Sequence, residues 1–483
     1  MTSRLPAFPT EPHIDARSAR GGDDSGSDST TVVFAYFFYP SPEVGAKRMS
    51  ALAEYLRESD RHVVVLSAFT GLDAFAQDDV RWSKLRGYKL VRVPDTPSST
   101  VALLVRLKRH LRQLLMSRSS TVASGVASSR APREGVAERG WSALHRYLFL
   151  FLHVIDDHKG WAVRAARRAI NVARCAHSPV IVVSGPPASV VLAATWAARN
   201  CSVPIIVDLR DPICMQTVSG EPAAGIPNQW GRRWLERYVV RRADRIVTTS
   251  PTLRWQLQQR YPQHAERITC ILNGFDENPR PSRVHTEHRL VIVYAGTLYL
   301  NRDPFPFLEA VEWLLAHADV DASRVEIVFA GDCHEYRGTR LRTWLDQRRC
   351  GSRVTILPQL DPQQLRMLYE RATLLLNFAE GQRMQIPAKT FELLALGREI
   401  LVLCEPDSDT GRLVAGLSGV SCAASSDAPR LQELLRDAYQ RHVIAGTLRA
   451  PPPGEIAQFS RASQNERFVS LIENARRAGA GTR

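Results

Sequence analysis

The sequence lacks the motifs that identify the common metal, redox and dinucleotide proteins. Its eight cysteines are scattered singly with no CxxC pair, so neither a zinc ribbon nor a thioredoxin-type site is indicated. It contains no GxGxxG sequence and no Walker A sequence, which argues against a dinucleotide or P-loop ATP site. Several cysteines lie in or beside apolar runs, so we expect free thiols in a reducing cytoplasm.

Long hydrophobic segments are also scarce. The first ten residues, MTSRLPAFPT, have no apolar segment of the signal-peptide kind. Residues Ser178 to Ala198 carry no charge, but Ser184-Gly185-Pro186-Pro187 interrupts them, which predicts a strand, a turn and a helix. We therefore expect a cytoplasmic protein that is soluble or peripheral to the inner face of the plasma membrane.

The charge balance is strongly basic. Sixty-three Lys and Arg residues against 49 Asp and Glu give a net charge of +14 and a pI near 9.7, which favours an anionic partner. The segment Val101 to Arg118 predicts an amphipathic helix without an acidic residue, suited to an anionic membrane surface or, alternatively, to an internal position with one solvated face. We recognised no aromatic–basic interleaving of the kind found on RNA-binding surfaces, so we expect no nucleic-acid partner.

Short apolar runs alternate with helical patterns along most of the chain, which predicts an α/β protein with parallel sheets. The predicted strands are Thr31–Phe38, His62–Leu66, Lys89–Val93, Val180–Val183, Pro204–Val207, Arg245–Thr248, Ile268–Leu272, Leu290–Ala295, Val325–Phe329, Val354–Leu357, Thr373–Asn377, Ile400–Leu403 and a weaker one near Val420.

These runs fall into two series, which predict two doubly wound, Rossmann-like domains facing across a cleft. The predicted parts are a disordered tail at residues 1–30, a domain at 31–275 with a basic, partly mobile insertion at about 96–150, a linker at 276–288, a second domain at 289–450, and a C-terminal helix and tail at 451–483.

Polar and basic residues follow several strands of the first series, where the strand ends of an open α/β sheet bind ligands. Gly45, Lys47 and Arg48 suit an anion at a helix start, although an ordinary loop explains them equally well. Ser184 and Gly185 open a tight turn. Asp208-Leu209-Arg210-Asp211 places two carboxylates and a guanidinium at a strand end, with a structural ion pair as the alternative interpretation.

Two segments of the second series suit a sugar phosphate. Gly296-Thr297-Leu298-Tyr299 ends a strand, and the guanidinium of Arg302 matches phosphate oxygens. Lys389 and Glu392 lie three residues apart on a predicted helix, Ala388 to Leu396, so they project from one side of it. Together they suit a phosphate and a sugar hydroxyl, and a surface ion pair is the alternative.

Taken in order, these segments resemble GT-B fold glycosyltransferases of the family 4-like retaining group, in the bacterial branch that builds surface polysaccharides. The resemblance is carried by YPSPEVGAKRM, VVSGPPASVVLAA, VPIIVDLRDP, ADRIVTTSP, ILNGFD, YAGTLYLNRDP and IPAKTFELLALGREILVL, and by the closing FSRASQNERF. It implies that the C-terminal domain binds a nucleotide sugar, that the N-terminal domain binds the acceptor, and that a C-terminal helix crosses between them.

The resemblance also implies roles by position. Glu392 would contact the donor ribose, while Arg302 and Lys389 would hold the pyrophosphate and stabilise the leaving group, with Thr297 beside them. Gly45 would lie beside the donor phosphates or the acceptor, and Asp211 near the sugar. The expected activity is the transfer of a hexose to a lipid-linked or glycan acceptor, with no cofactor beyond the donor substrate.

The chain departs from the family pattern at two positions. Met384 stands where the family has the first glutamate of its motif, with Glu380 further back, and the segment Leu300-Asn301-Arg302 replaces a lysine. The triplets Asp319-Val320-Asp321 and Asp407-Ser408-Asp409 are interpreted as a segment before a strand and a helix N-cap, so we expect no metal site. A nucleotide-sugar epimerase of the same fold and a catalytically inactive binding protein are the alternatives.

Overall fold

A computed structural model describes residues 29–39, 41, 44–59, 61–69, 88–95, 156, 158–214, 226–276 and 288–480. Three predictions fall largely or wholly outside these residues. They are the tail at residues 1–30, described only from residue 29; the basic insertion 96–150, including the helix Val101 to Arg118; and the linker 276–288, described only at its two ends.

The first described sheet has seven strands in the order β3-β2-β1-β4-β5-β6-β7. Pairs β3–β2, β2–β1, β1–β4 and β4–β5 are parallel, and β1, β4 and β5 are buried along their whole length, as in a sheet covered on both faces. Its strands are β1 (Thr30–Ala35), β2 (His62–Phe69), β3 (Lys89–Pro94), β4 (Val180–Gly185), β5 (Ile205–Leu209), β6 (Arg245–Thr248) and β7 (Ile268–Cys270).

The second large sheet has six parallel strands in the order β12-β9-β8-β13-β14-β15. Successive residues of β8 enter different hydrophobic clusters, Leu290 and Ile292 one cluster and Val291 and Val293 the other, because a strand directs alternate side chains to opposite faces. Its strands are β8 (Leu290–Ala295), β9 (Val325–Ala330), β12 (Val354–Leu357), β13 (Leu374–Phe378), β14 (Glu399–Leu403) and β15 (Val420–Ala423), and a small hairpin contains β10 (Glu335–Tyr336) and β11 (Thr339–Arg340).

Helices connect the strands of both sheets, as the alternating pattern predicts. They are α1 (Val44–Glu58), α2 (Lys159–Cys175), α3 (Ala188–Cys201), α4 (Ile226–Arg242), α5 (Pro251–Arg260), α6 (Phe305–Leu315), α7 (Leu341–Leu345), α8 (Pro362–Arg371), α9 (Ala388–Leu394), α10 (Asp409–Val414), α11 (Ala428–Tyr439), α12 (Pro453–Ile456) and α13 (Arg461–Ala480).

The C-terminal helix differs from the prediction. The sequence pattern predicts one helix from about Glu455 to Arg476, whereas the structure has a single short turn, α12, then a 3-10 turn at Ala457–Phe459, and then α13. Ser460 adopts extended backbone between the two and Arg461 donates its N–H to the carbonyl of Phe275 (2.8 Å), so the chain at this break is fixed to the segment that follows β7. Periodicity alone does not reveal such a break, because the apolar spacing continues through it.

The chain forms two compact units. One contains residues Val247–Leu471, and the other contains the described residues before Val247 together with the end of α13 from Ile472. The predicted α/β class is confirmed, and the domain boundaries proposed from the sequence stay predictions. No described helix is long and apolar enough to cross a membrane, and Ser178 to Ala198 forms strand β4 and helix α3 as expected.

Candidate functional site

The loop that follows β8 is held by hydrogen bonds to its own backbone. The carbonyl of Thr297 accepts from the hydroxyl of Tyr294 (3.0 Å) and from the guanidinium of Arg302 (3.3 Å). The Arg302 guanidinium also lies over the ring of Tyr299, 4.4 Å from its centre. These contacts turn Arg302 back toward the end of the strand, where the sequence analysis placed it.

Lys389 comes to the same place from helix α9. Its ammonium lies 4.9 Å from the centre of the Tyr294 ring, and a Cβ built on Gly296 would lie 3.1 Å from the Lys389 Nζ. Gly296 therefore allows the lysine to approach the loop backbone closely. Thr297, Arg302 and Lys389, which are distant in sequence, form one cluster within the unit Val247–Leu471.

The cluster alters the acidity of Lys389. Burial, and after it the positive charge of Arg302, lowers the pKa of Lys389 from 10.5 to about 8. The carboxylate of Glu392, one turn along α9, acts in the opposite direction and raises this pKa. Two close cations that repel each other form a site that an added dianion would stabilise.

Two members of the cluster are absent from the sequence prediction. The thiol of Cys333 donates to the carbonyl of Gly296 (3.2 Å), and burial raises its pKa to about 12, so it stays a neutral thiol. Tyr294 is buried, and burial raises its pKa as well. Neither residue has a sequence signal, because a buried tyrosine in a strand and a single cysteine after the next strand look like ordinary core residues.

The segment before α9 shows how the chain accommodates Met384. The carbonyl of Met384 accepts from the hydroxyl of Ser250 (2.6 Å), while Glu380 binds the backbone and hydroxyl of Ser425 with its two carboxylate oxygens. The carboxylate of Glu380 is therefore already engaged, and this argues against its replacing the missing first glutamate. The side chain of Asn377 binds Thr390 (3.0 Å) and fixes the start of α9 against β13.

In the other unit, the strand ends of β4 and β5 meet around a buried carboxylate. Asp208 accepts from Arg48 at both oxygens, at 3.2 and 3.0 Å, and from the hydroxyl of Ser184 (2.9 Å). Asp208 is fully buried and the Arg48 side chain is 7% exposed. The structural ion pair considered in the sequence analysis is present, and it uses Arg48, whose role toward a phosphate or acceptor stays a prediction.

A second guanidinium fills the space beside Gly45. A Cβ on Gly45 would overlap the Arg210 guanidinium at 2.2 Å, and that guanidinium donates to the carbonyl of Pro186 (2.9 Å). The backbone N–H of Arg210 donates to the carbonyl of Gly185 (3.0 Å). Gly45, Arg48, Ser184 and Gly185 are thus brought together, with Arg210 packed among them.

Lys47 and Asp211 lie beside this group with different exposure. Lys47 is exposed on helix α1, while Asp211 is half-buried directly after Arg210. Their predicted roles at the acceptor and at the sugar stay predictions.

A third cluster in the same unit escaped the sequence analysis. Tyr36 follows β1, Asp95 follows β3 and His158 precedes α2; both the tyrosine hydroxyl and the His158 Nδ1 (3.2 Å) bind the Asp95 carboxylate. The rings of Tyr36 and His158 lie 4.2 Å apart, and burial and the bond to Asp95 raise the pKa of the Tyr36 hydroxyl. Asp95 is 59 positions from Tyr36 and 63 positions from His158, so no local sequence pattern connects the three residues.

Among the described residues, no three His, Cys, Asp or Glu side chains are arranged to hold a metal ion. The two Asp-x-Asp triplets have other uses. Ser408 caps α10 as predicted, by accepting from the N–H of Gly411, and Asp409 is buried with both oxygens on Thr252 (2.6 and 3.0 Å). Asp321 caps a short turn before β9 and Asp319 pairs with Arg436 (2.7 Å).

Known structures share this architecture. HepE from Anabaena in complex with UDP has a TM-score of 0.52 at 13% identity, covering 94% of this chain and 99% of that chain. A UDP-forming α,α-trehalose-phosphate synthase from Burkholderia vietnamiensis has 0.52 at 10% identity, with 93% and 100% covered. The N-terminal domain of trehalose-6-phosphate phosphatase from Candida albicans has 0.58 at 11% identity, with 94% and 98% covered. At such identities the likeness shows the fold, which is GT-B.

Part of the sequence matches a family model. Residues 121–279, about a third of the chain, match the model of Glycosyltransferase Family 4. A comparison with curated proteins found no match. The recognition of a family 4-like GT-B protein is confirmed, and the family match supports glycosyltransferase activity. The individual site residues stay predictions.

Proposed function

We propose that this protein is a retaining glycosyltransferase that transfers a hexose from a nucleotide sugar to a lipid-linked or glycan acceptor in polysaccharide biosynthesis, at the cytoplasmic face of the plasma membrane. The observation that carries the proposal is the approach of Arg302 and Lys389 to the loop after β8, where Arg302 donates to the carbonyl of Thr297 and Lys389 lies over the ring of Tyr294. An added anion offsets the repulsion between two cations held this close. The diphosphate of a nucleotide sugar is such an anion.

The same cations serve the reaction. As the bond between sugar and diphosphate breaks, negative charge grows on the departing oxygen, and donors already aimed at that position stabilise it without reorganising. Arg302 offers a fork of N–H groups and Lys389 a single ammonium. Glu392, on the same helix as Lys389, accepts hydrogen bonds from sugar hydroxyls and fits the ribose.

The acceptor is assigned to the other unit. Its strand ends carry the group around Asp208 with Asp211 nearby, and the cluster of Tyr36, Asp95 and His158 offers polar side chains that suit a hydroxyl-rich acceptor. We propose no metal and no cofactor for the transfer. A chelator control tests the metal directly: EDTA is expected to leave the rate of the purified enzyme unchanged.

A donor screen tests the proposal. The melting temperature is measured with each of a panel of nucleotide sugars, at a concentration well above its dissociation constant. Only a donor that binds the folded state raises the melting temperature. UDP-glucose is the first candidate, because one similar structure holds UDP and another belongs to an enzyme that forms UDP. Absence of a shift from every donor, with folded protein, would overturn the proposal.

Glu392 supplies the matched variant test. E392A should abolish the donor-induced shift while leaving the melting temperature of the free protein close to that of the wild type. E370A is the control, because Glu370 is an exposed carboxylate of α8, where it pairs with Arg366. Products are then analysed with and without acceptor: conversion of the donor sugar without acceptor identifies an epimerase, and donor binding without any product identifies an inactive binding protein.

A further inference from the structure

Positive charge is concentrated on three described helices of the unit that precedes Val247. Helix α2 packs against α3, and α3 packs against α4. Together these helices contain eleven Lys and Arg residues and one acidic residue, Glu236, which is buried. The outer face of this helix group is therefore strongly cationic.

Helix α4 adds large aromatic side chains to that charge. Trp230, Trp234 and Tyr238 are spaced four residues apart and form one row along the helix, with Trp230 70% and Trp234 56% exposed. Arg233, Arg237 and Arg241 form a second exposed row beside it.

The two neighbouring helices each expose one large apolar side chain as well. Trp196 of α3 is 46% exposed and Val163 of α2 is 51% exposed. Isolated exposed apolar residues are common, but several large ones on adjacent helices mark an interaction surface. We call the exposed residues of these three helices the aromatic–arginine face.

We propose that the aromatic–arginine face binds the surface of an anionic lipid bilayer. Tryptophan and tyrosine favour the headgroup region, where the ring lies among apolar groups and the polar edge meets water. Arginines in the adjacent row reach lipid phosphates, and the long stems of their side chains remain in contact with apolar surface. The aromatic–arginine face therefore offers both positive charge for the lipid phosphates and exposed aromatic rings for the headgroup region.

The ring contacts favour a bilayer over single-stranded nucleic acid. Trp234 and Tyr238 stack on each other at 5.4 Å, and the Arg242 guanidinium lies over the Tyr238 ring at 4.2 Å. Binding of unpaired bases relies on open ring faces for stacking, and these faces are partly occupied. The segment WGRRWLERYVVRR interleaves aromatic and basic residues, so the expectation of no such interleaving is wrong.

This surface extends the proposed function by assigning its membrane partner to described residues. The sequence analysis placed membrane contact on Val101 to Arg118, which lies outside the described residues. The aromatic–arginine face is a different segment of the chain. Its assignment depends on exposure and charge on α2, α3 and α4, and not on the chemistry at Lys389.

Vesicle flotation tests the proposal on the full chain. Vesicles of phosphatidylcholine alone are compared with vesicles that contain about 30 mol% phosphatidylglycerol. Two variants alter the face, W230A/W234A and R233E/R237E/R241E. The control R340E/R342E/R366E reverses three exposed arginines of the other unit, so its net charge changes by the same amount.

The wild type and the control should float with the anionic vesicles and not with neutral ones, and each face variant should bind at least about tenfold more weakly. Quenching of tryptophan fluorescence by brominated lipids should fall in W230F/W234F. The proposal would be overturned if the wild type bound both vesicle types equally, if the control lost as much binding as the face variants, or if both face variants kept their binding. Preferential binding of single-stranded DNA would overturn it as well. The donor-induced thermal shift is measured on every variant. A variant that keeps this shift but no longer floats shows that the donor site is intact and that only membrane binding is lost.

Discussion

The acidity of Lys389 gives the sharpest prediction for the proposed donor site. With a pKa of about 8, the ammonium form exceeds the amine by about ten to one at pH 7, and the ratio is reversed at pH 9. A bound diphosphate favours the ammonium form and raises this pKa toward its ordinary value. Donor affinity should therefore be constant below pH 8 and fall by up to about tenfold for each pH unit above it, because the lysine must then take up a proton on binding.

The assay is titration calorimetry between pH 6.5 and 9.5 with the nucleotide sugar that binds in the donor screen. The diphosphate of a nucleotide sugar has no ionisation in this range, but a uracil or guanine base loses a proton near its upper end, so the contribution of Lys389 is taken from the difference between the wild type and its variants. Proton uptake should appear above pH 8 as a difference in binding heat between buffers of different ionisation enthalpy.

Two variants separate Lys389 from every other titrating group. K389R keeps its charge throughout the range, so its donor affinity should not fall between pH 7 and pH 9. K389M should bind weakly at every pH and show no dependence. A wild-type affinity that is equal at pH 7 and pH 9, or a K389R affinity that falls as steeply as the wild type's, would refute the reasoning.

Three further predictions concern the stability of the protein and the close contact between Gly296 and Lys389. G331A should lower the free energy of unfolding, measured by chemical denaturation, by roughly 2 kcal/mol or more, since the backbone φ of Gly331 is +114° and its Cβ would lie 2.3 Å from the Gly296 carbonyl oxygen. G338A is the control: its φ is also positive, at +83°, but the space around it is open, so it should cost only about 1 kcal/mol. R48M should lower the free energy of unfolding by about 3–5 kcal/mol, because it leaves the fully buried Asp208 without its ion pair, and a loss below about 1 kcal/mol would contradict that account. G296A should weaken donor binding more than it lowers the melting temperature, because the added methyl presses on the ammonium of Lys389 at 3.1 Å; an unchanged donor affinity would show that this approach is unimportant.

The strands were the most predictable part of the structure. Arg245–Thr248, Leu290–Ala295 and Val354–Leu357 match their predicted bounds, and the others differ by a few residues at one or both ends. A parallel strand buried on both faces is a continuous apolar run, so its composition reveals it directly. The C-terminal helix was less predictable, since the break at Ser460 depends on a backbone contact with Phe275, far away in sequence.

The site was predictable only where it follows a strand. The clustering of Thr297, Arg302 and Lys389 was predictable because ligands bind at the carboxyl ends of parallel strands, and each residue lies in a loop or helix start of that kind; their roles toward a donor stay predictions. Tyr294, Cys333 and the cluster of Tyr36, Asp95 and His158 were missed, because they meet through strand order and not through spacing. Strand order places β9 beside β8, and only then does Cys333 reach the carbonyl of Gly296.

The location of the positive charge connects the two proposals. The chain has a net charge of +14, and helices α2, α3 and α4 contain eleven basic residues against one buried acid, whereas the proposed donor site rests on two cations, Arg302 and Lys389. At 0.1 M salt, interactions between exposed charges more than about 10 Å apart are largely screened, whereas buried charges are screened much less. Vesicle binding should therefore weaken steeply between low and physiological salt, while donor affinity at the half-buried Lys389 changes little. Equal salt dependence of the two processes would mean that the same charges serve both, and that the aromatic–arginine face and the donor site are not separate.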